Sequence, residues 1–247
     1  MKVAVLGFGT VGVGVYEMLE NAEGLQQGPV LVRAGKDDKP FKRTSIESIV
    51  TDPEVWAVAE VMGGIEPAFS YAVEAIKAGK HFVTSNKALV AAKGVELQQL
   101  AEEYGVAFLF SAACGGAVPF LHNLSIARKS DIIFSLGGIL NGTTNYILTR
   151  MIRAGLPFET ALKEAQDNGY AERDPSADIE GHDACRKISI LAALAFGKHV
   201  YPRQVPAEGI TGVTLTDVDY AGSAGKKIKL LGRAVRDRET GKVRAYV

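Results

Sequence analysis

The chain has no surplus of charge: 28 lysines and arginines stand against 28 aspartates and glutamates in 247 residues. Without a basic excess there is no electrostatic footprint for nucleic acid and no polybasic face for a membrane. Cysteine is scarce as well. Cys114 and Cys185 make neither a CxxC pair nor a disulfide framework, as expected of reduced thiols in a cytoplasmic protein. Long apolar runs are missing, and none approaches the roughly 20 residues that cross a bilayer. Met1 to Gly7 is a short apolar strand running straight into glycine, without the longer apolar run and small-residue cleavage site of a secretory signal. Internal repeats and low-complexity linkers are absent too. The expectation is a soluble cytoplasmic protein.

What remains is an ordinary globular balance, 47% hydrophobic and 23% charged, enough for a real core. Up to about residue 110, short apolar runs alternate with amphipathic stretches of helical length. Residues 3–6, 30–32, 55–62, 81–84 and 106–110 read as strands. Residues 11–19, 67–78 and 87–104 read as helices, the second with Pro67 at its start, where a missing N–H costs nothing. Strand–helix alternation of this kind predicts a parallel sheet with helices on its faces. After Pro119 the pattern changes. A strand over 131–136 precedes helices over 145–154, 158–168 and 178–196, then two strands, 226–235 and 242–247, around the turn Arg238-Glu239-Thr240-Gly241. The fold class expected is α/β, an N-terminal Rossmann-type parallel sheet with a second α+β domain. The boundary falls near 112–119, giving domains 1–115 and 116–247.

Gly7-Phe8-Gly9-Thr10-Val11-Gly12 is a complete GxGxxG between a strand and a helix, the context that gives the motif its meaning. Gly7 permits the tight turn, Gly9 lets the backbone approach a pyrophosphate, and Gly12 lets the helix pack closely on the strand. Thr10 and Val11 offer main-chain N–H groups at the helix start. A bound NAD or NADP is implied. An NAD site carries an acid at the end of the second strand, about 20 residues on. Here that strand ends at Val32-Arg33-Ala34-Gly35-Lys36, with cations and no acid. Arg33 suits a 2′-phosphate, so NADP is favoured, while Asp37 and Asp38 keep NAD open.

The densest polar cluster runs from Gly169 to Lys187. Asp183 and Lys187, four apart, share one helical face. From spacing alone a surface ion pair worth roughly a few tenths of a kcal/mol is the simpler reading. Against it stands the apolar continuation Ile188-Ser189-Ile190-Leu191-Ala192-Ala193, which would partly desolvate the amine and favour proton transfer.

Four segments carry a family resemblance: Gly7–Gly12; Ser85-Asn86-Lys87-Ala88-Leu89-Val90-Ala91; Gly138-Ile139-Leu140-Asn141-Gly142-Thr143-Thr144-Asn145-Tyr146-Ile147-Leu148; and Gly169 through Lys187. In their order and spacing the chain resembles homoserine dehydrogenases over essentially its whole length. The resemblance implies reversible NAD(P)H reduction of aspartate 4-semialdehyde to homoserine, on the route to threonine, methionine and isoleucine. By the family motif Lys187 looks like the proton donor, Glu172 and Asp183 like substrate-binding acids, Lys87 like a lysine near cofactor and substrate, and Gly169 like a cofactor contact. The family precedent implies a homodimer formed through the second domain.

Two departures stand out. The family often opens a sodium-binding segment with glutamate, but here it reads Ser111-Ala112-Ala113-Cys114-Gly115-Gly116-Ala117-Val118-Pro119. Backbone carbonyls of Cys114, Gly116 and Val118 remain as ligands, and without the carboxylate the expected site is weak or empty. The family's catalytic region also continues past Val247, and a threonine-binding regulatory domain is not found, so a fragment is expected. Competing readings are another Rossmann dehydrogenase of amino-acid aldehydes or hydroxy acids, and a catalytically impaired nucleotide-binding relative.

Overall fold

The computed structural model describes residues 1–32, 44–116 and 118–247. They form two compact units, Met1–His122 and Asn123–Val247.

The first unit is a five-stranded sheet. Its elements in order are β1 (Lys2–Leu6), α1 (Thr10–Glu20), β2 (Gln26–Leu31), α2 (Ile46–Thr51), β3 (Val55–Glu60), α3 (Ala68–Lys77), β4 (His81–Thr84), α4 (Lys87–Glu103) and β5 (Phe108–Leu109). The strands lie in the order β2-β1-β3-β4-β5, and every pairing is parallel. Successive side chains of a strand point to opposite faces, yet Ala4, Val5 and Leu6 are all fully buried. Both faces of β1 are therefore covered, the situation that demands an unbroken apolar run rather than alternation. β2 flanks β1 on one side and β3 on the other, so the winding reverses beside β1. The crevice at the carboxyl ends of strands around such a reversal is where ligands bind in open α/β sheets.

The second unit contains α5 (Phe120–Ser130, which spans the division), β6 (Ser135–Gly138), α6 (Gly142–Ala154), α7 (Phe158–Asp167), α8 (Ser176–Ile179), α9 (His182–Phe196), α10 (Leu215–Ser223), β7 (Gly232–Arg236) and β8 (Val243–Tyr246). β6, β7 and β8 make an antiparallel sheet. α9 packs on this sheet and is buried nearly all round, Ala184, Ile188, Ile190, Leu191 and Ala192 included. A second core gathers Ile147, Leu148 and Met151 of α6 with Ala161 and Ala165 of α7.

Several elements depart from expectation. The predicted helix over 178–196 is two helices, because Gly181 adopts φ 82° between α8 and α9 and interrupts the α conformation. α6 starts at Gly142 rather than 145, because the Asn141 side chain caps it through Thr144 N–H at 2.8 Å. The last strand of the first sheet shrinks to Phe108–Leu109, and β7 is Gly232–Arg236 rather than 226–235. α2, α5 and α10 were not anticipated. α2 is only six residues long, too short for a periodic signal, although Ser45 caps it. α10 announces itself only through a capping box, in which Thr214 and Asp217 bond each other's main chain.

Candidate functional site

The glycine-rich turn at the end of β1 uses each glycine differently. Gly7 has φ 100°, a conformation that suits glycine, and its N–H donates to the Leu31 carbonyl at 2.9 Å. At Gly12 a Cβ would lie 2.3 Å from the Gly7 carbonyl oxygen, so any side chain would force helix and strand apart. At Gly9 a Cβ would meet nothing within 4 Å. Among the described residues, no atom fills the space its missing side chain leaves. Gly9 is also the N-cap of α1, and no side chain caps that end, so the first N–H groups of the helix, those of Thr10 and Val11 among them, face outward with the positive end of the helix dipole. A cleft of about 460 Å³ opens here, lined by Gly7, Phe8, Gly9, Val32, Met62 and Gly63 among others.

A buried polar network, not foreseen from the sequence, organises the neighbouring strand ends. Glu60, the last residue of β3, is fully buried. One carboxylate oxygen accepts from Met62 N–H at 2.7 Å and the other from the Thr84 hydroxyl at 2.6 Å. Asn86 donates its side-chain amide to the Gly64 carbonyl at 2.5 Å and caps α4 through Leu89 N–H at 3.1 Å. This network fixes the Met62–Gly64 turn against the start of α4, whose first residue is the half-buried Lys87. The readable signal was an acid interrupting the apolar run Val55–Met62, three residues before Gly63-Gly64. Arg33 and Lys36, the predicted 2′-phosphate residues, lie outside the described residues, as do Asp37 and Asp38.

The segment expected to hold sodium is a tight turn. Gly115 and Gly116 both have positive φ, Val118 N–H donates to Gly115, and the Val118 carbonyl accepts from Phe120 N–H at 2.7 Å. Cys114 is buried, while Ser111 is exposed and brings no carboxylate.

In the second unit Asp183 lies in the first turn of α9, where the helix dipole favours an acid. Its Oδ2 is 2.7 Å from Lys187 Nζ, one turn on. Asp183 is only 3% exposed, which excludes the surface ion pair that spacing alone left open. Burying an ion pair is costly unless its remaining hydrogen-bonding capacity is met. Lys187 Nζ also donates to the Leu140 carbonyl at 2.7 Å. Asn141 Nδ2 donates to Asp183 Oδ2 at 3.0 Å and to Asp178 Oδ1 of α8 at 2.6 Å. Leu140, Asn141 and Asp178 are thus brought to the predicted pair, and none of the three had been singled out.

Glu172 is in the exposed turn after α7, and among the described residues no hydrogen bond joins its carboxylate to the pair. Gly169 opens that turn with φ 74°. The turn is nonetheless tied to α6, because Thr143 Oγ1 donates to the Tyr170 carbonyl at 2.9 Å and the rings of Tyr146 and Tyr170 stack with centroids 4.6 Å apart. Below that stack the Tyr146 hydroxyl donates to Glu164 at 2.8 Å and Arg150 pairs with the same carboxylate. These contacts, the tyrosine's first, hold the Glu164 carboxyl below its ordinary value.

Two family models divide the chain between them: the homoserine dehydrogenase NAD-binding domain over residues 7–111 and homoserine dehydrogenase over 119–247. The chain belongs to the homoserine dehydrogenase family. Homoserine dehydrogenase of Synechocystis is 43% identical over 100% of this chain and 61% of its own length. That of Bacillus subtilis is 40% identical over 96% of this chain and 58% of its own. A solved homoserine dehydrogenase from Thiobacillus denitrificans superposes with a TM-score of 0.93 at 38% identity, covering all of this chain and 60% of that one. The chain thus spans about three fifths of the length of these homoserine dehydrogenases. Among the described residues no helix is long and apolar enough to cross a membrane.

Proposed function

We propose that the chain carries the cofactor-binding and catalytic parts of a homoserine dehydrogenase, interconverting L-aspartate 4-semialdehyde and L-homoserine with NAD(P). The observation that carries this reading is the Asp183–Lys187 pair, its acid buried and its lysine side chain 20% exposed, an arrangement that is costly to keep and that leaves the amine within reach of a substrate. The open space at Gly9 and the uncapped start of α1 fit a pyrophosphate. A nicotinamide cofactor bound there supplies or takes the hydride, and the protein supplies orientation and proton delivery.

In this reading Lys187 gives its proton to the carbonyl oxygen as the alcohol forms and takes it back in the reverse direction. Asp183 holds that amine in place and, with Glu172, binds the substrate's ammonium or hydroxyl. Lys87 serves near cofactor and substrate, and Gly169 contacts the cofactor. Arg33 with Lys36 favours NADP over NAD by charge-assisted hydrogen bonds to the 2′-phosphate. A sodium ion at Cys114, Gly116 and Val118 would rest on main-chain oxygens alone and is assigned no more than weak binding. Residues 1–115 are the dinucleotide-binding domain and 116–247 the catalytic and dimerisation domain of a cytoplasmic homodimer in threonine, methionine and isoleucine biosynthesis.

The test is a steady-state assay at the nicotinamide absorbance band, with homoserine and each cofactor in turn, run beside any longer form of the protein. Homoserine-dependent turnover, faster with NADP, is expected. Cofactor binding with no turnover of homoserine or the semialdehyde would overturn the reading.

A further inference from the structure

We infer that Asn141 is a positioning residue for the Asp183–Lys187 pair, its side-chain amide being the donor that keeps Asp183 in place when the lysine's proton moves. This rests on the assignment of Lys187 as the proton carrier. Lys187 Nζ lies 2.7 Å from Asp183 Oδ2, and Asn141 Nδ2 donates to the same oxygen at 3.0 Å. The first changes charge during the proposed reaction; the second does not titrate. A carboxylate buried to 3% exposure and braced by the lysine alone would lose its compensation at the moment of transfer. The amide remains.

The geometry of residue 141 supports this role over that of a simple helix cap. Its Oδ1 accepts from Thr144 N–H at 2.8 Å and from the Thr144 hydroxyl at 3.0 Å, which anchors the group and aims the NH2 toward the acids. The two hydrogens of that NH2 meet two acceptors, Asp183 Oδ2 and Asp178 Oδ1 on α8. Aspartate and serine cap helices as well as asparagine does, so capping alone does not call for an amide. Two converging carboxylates do. The preceding residue completes the clamp, since the Leu140 carbonyl holds Lys187 Nζ at 2.7 Å. Acid and amine are both gripped from one point ahead of α6.

Two substitutions separate the roles. Asn141→Ser keeps a cap and loses the reach to both acids. Asn141→Asp keeps the cap at full length and replaces the donor with a third carboxylate. We expect kcat with homoserine to fall about 10- to 100-fold in Asn141→Ser, the size of one hydrogen bond to a charged group, and further in Asn141→Asp. The KM for the nicotinamide cofactor should stay within about twofold. Against a crystal structure of the parent, those of both variants should show the Asp178 and Asp183 carboxylates moved apart. An Asn141→Ser protein with kcat and homoserine KM within about twofold of the parent overturns the proposal, as do carboxylates that stay in place. Should the Ser variant not fold, Asn141→Asp gives the same two readouts. Should the parent itself not oxidise homoserine, the assignment of Lys187 fails separately, and the crystal structures still decide whether the amide holds the acids.

Discussion

The turn from Gly7 to Gly12 carries no ionisable side chain, whereas the cluster around α9 joins Asp178 to Asp183 through one amide and Asp183 directly to Lys187. The first presents backbone: N–H groups at an uncapped helix start, and room where a Cβ is missing. The second is built from side chains, and its most buried charge, Asp183, is partnered by Lys187 and Asn141. Tolerance should differ accordingly. In the turn any added atom matters and chemical identity hardly enters. Around α9, on the proposed function, the volume can be kept while a change of one functional group removes the chemistry.

The strongest break in this comparison is Lys187→Ala. It should lower kcat by about 10²- to 10⁴-fold, the usual contribution of a general acid or base, while cofactor binding stays near parental. Lys187→Arg keeps the charge but holds its proton at any practical pH, so steady-state kinetics should find little rescue. A near-parental kcat in Lys187→Ala would make Lys187 a structural partner and shift attention to Lys87.

Within the turn, Gly12→Ala and Gly9→Ala should part company. At Gly12 the new methyl meets the Gly7 carbonyl at 2.3 Å, so both the melting temperature and cofactor affinity should drop. At Gly9 nothing among the described residues is met, so the melting temperature should hold while cofactor affinity, measured by fluorescence titration, falls. Equal melting temperatures for the two variants would break the distinction between packing and ligand space. A smaller effect is expected of Arg33→Ala, which should weaken NADP more than NAD. Equal losses for both cofactors would remove the strand-end reading.

The smallest effect concerns pH. Glu164 is held low by the Tyr146 hydroxyl and then by Arg150. A carboxyl lowered in the folded state contributes stability that is present above its unfolded value and lost as the pH falls through the folded one. Melting curves taken below the ordinary glutamate value of 4.5 should therefore fall more steeply for the parent than for Glu164→Gln. Parallel curves would show that the Tyr146–Glu164–Arg150 contact is spent on geometry alone.

Much of this was legible in the chain itself, and the reason is local. Gly7–Gly12, the apolar strands and the i, i+4 spacing of Asp183 and Lys187 are written in contiguous residues. What was not legible depends on approach through space. Asn141 lies 42 positions before Asp183, and Glu60 lies 26 before Asn86. No periodicity links such residues, and an asparagine before a helix reads as a cap whatever else it holds. The α8–α9 break was hidden because the spacing on either side of Gly181 suits one helix as well as two.

On the proposed function, helix α9 lines the site with its first turns and fills the core with the rest, from Ile188 to Phe196. Neutral drift has little room there. A core exchange that leaves the fold intact but slides the helix by about 1 Å would displace Asp183 and Lys187 together, and misplacements of that size can cost about 100-fold in rate. Stability and turnover are therefore mutationally coupled along α9, and changes at Ser189 or Ala192 should register as lost rate before they register as lost structure.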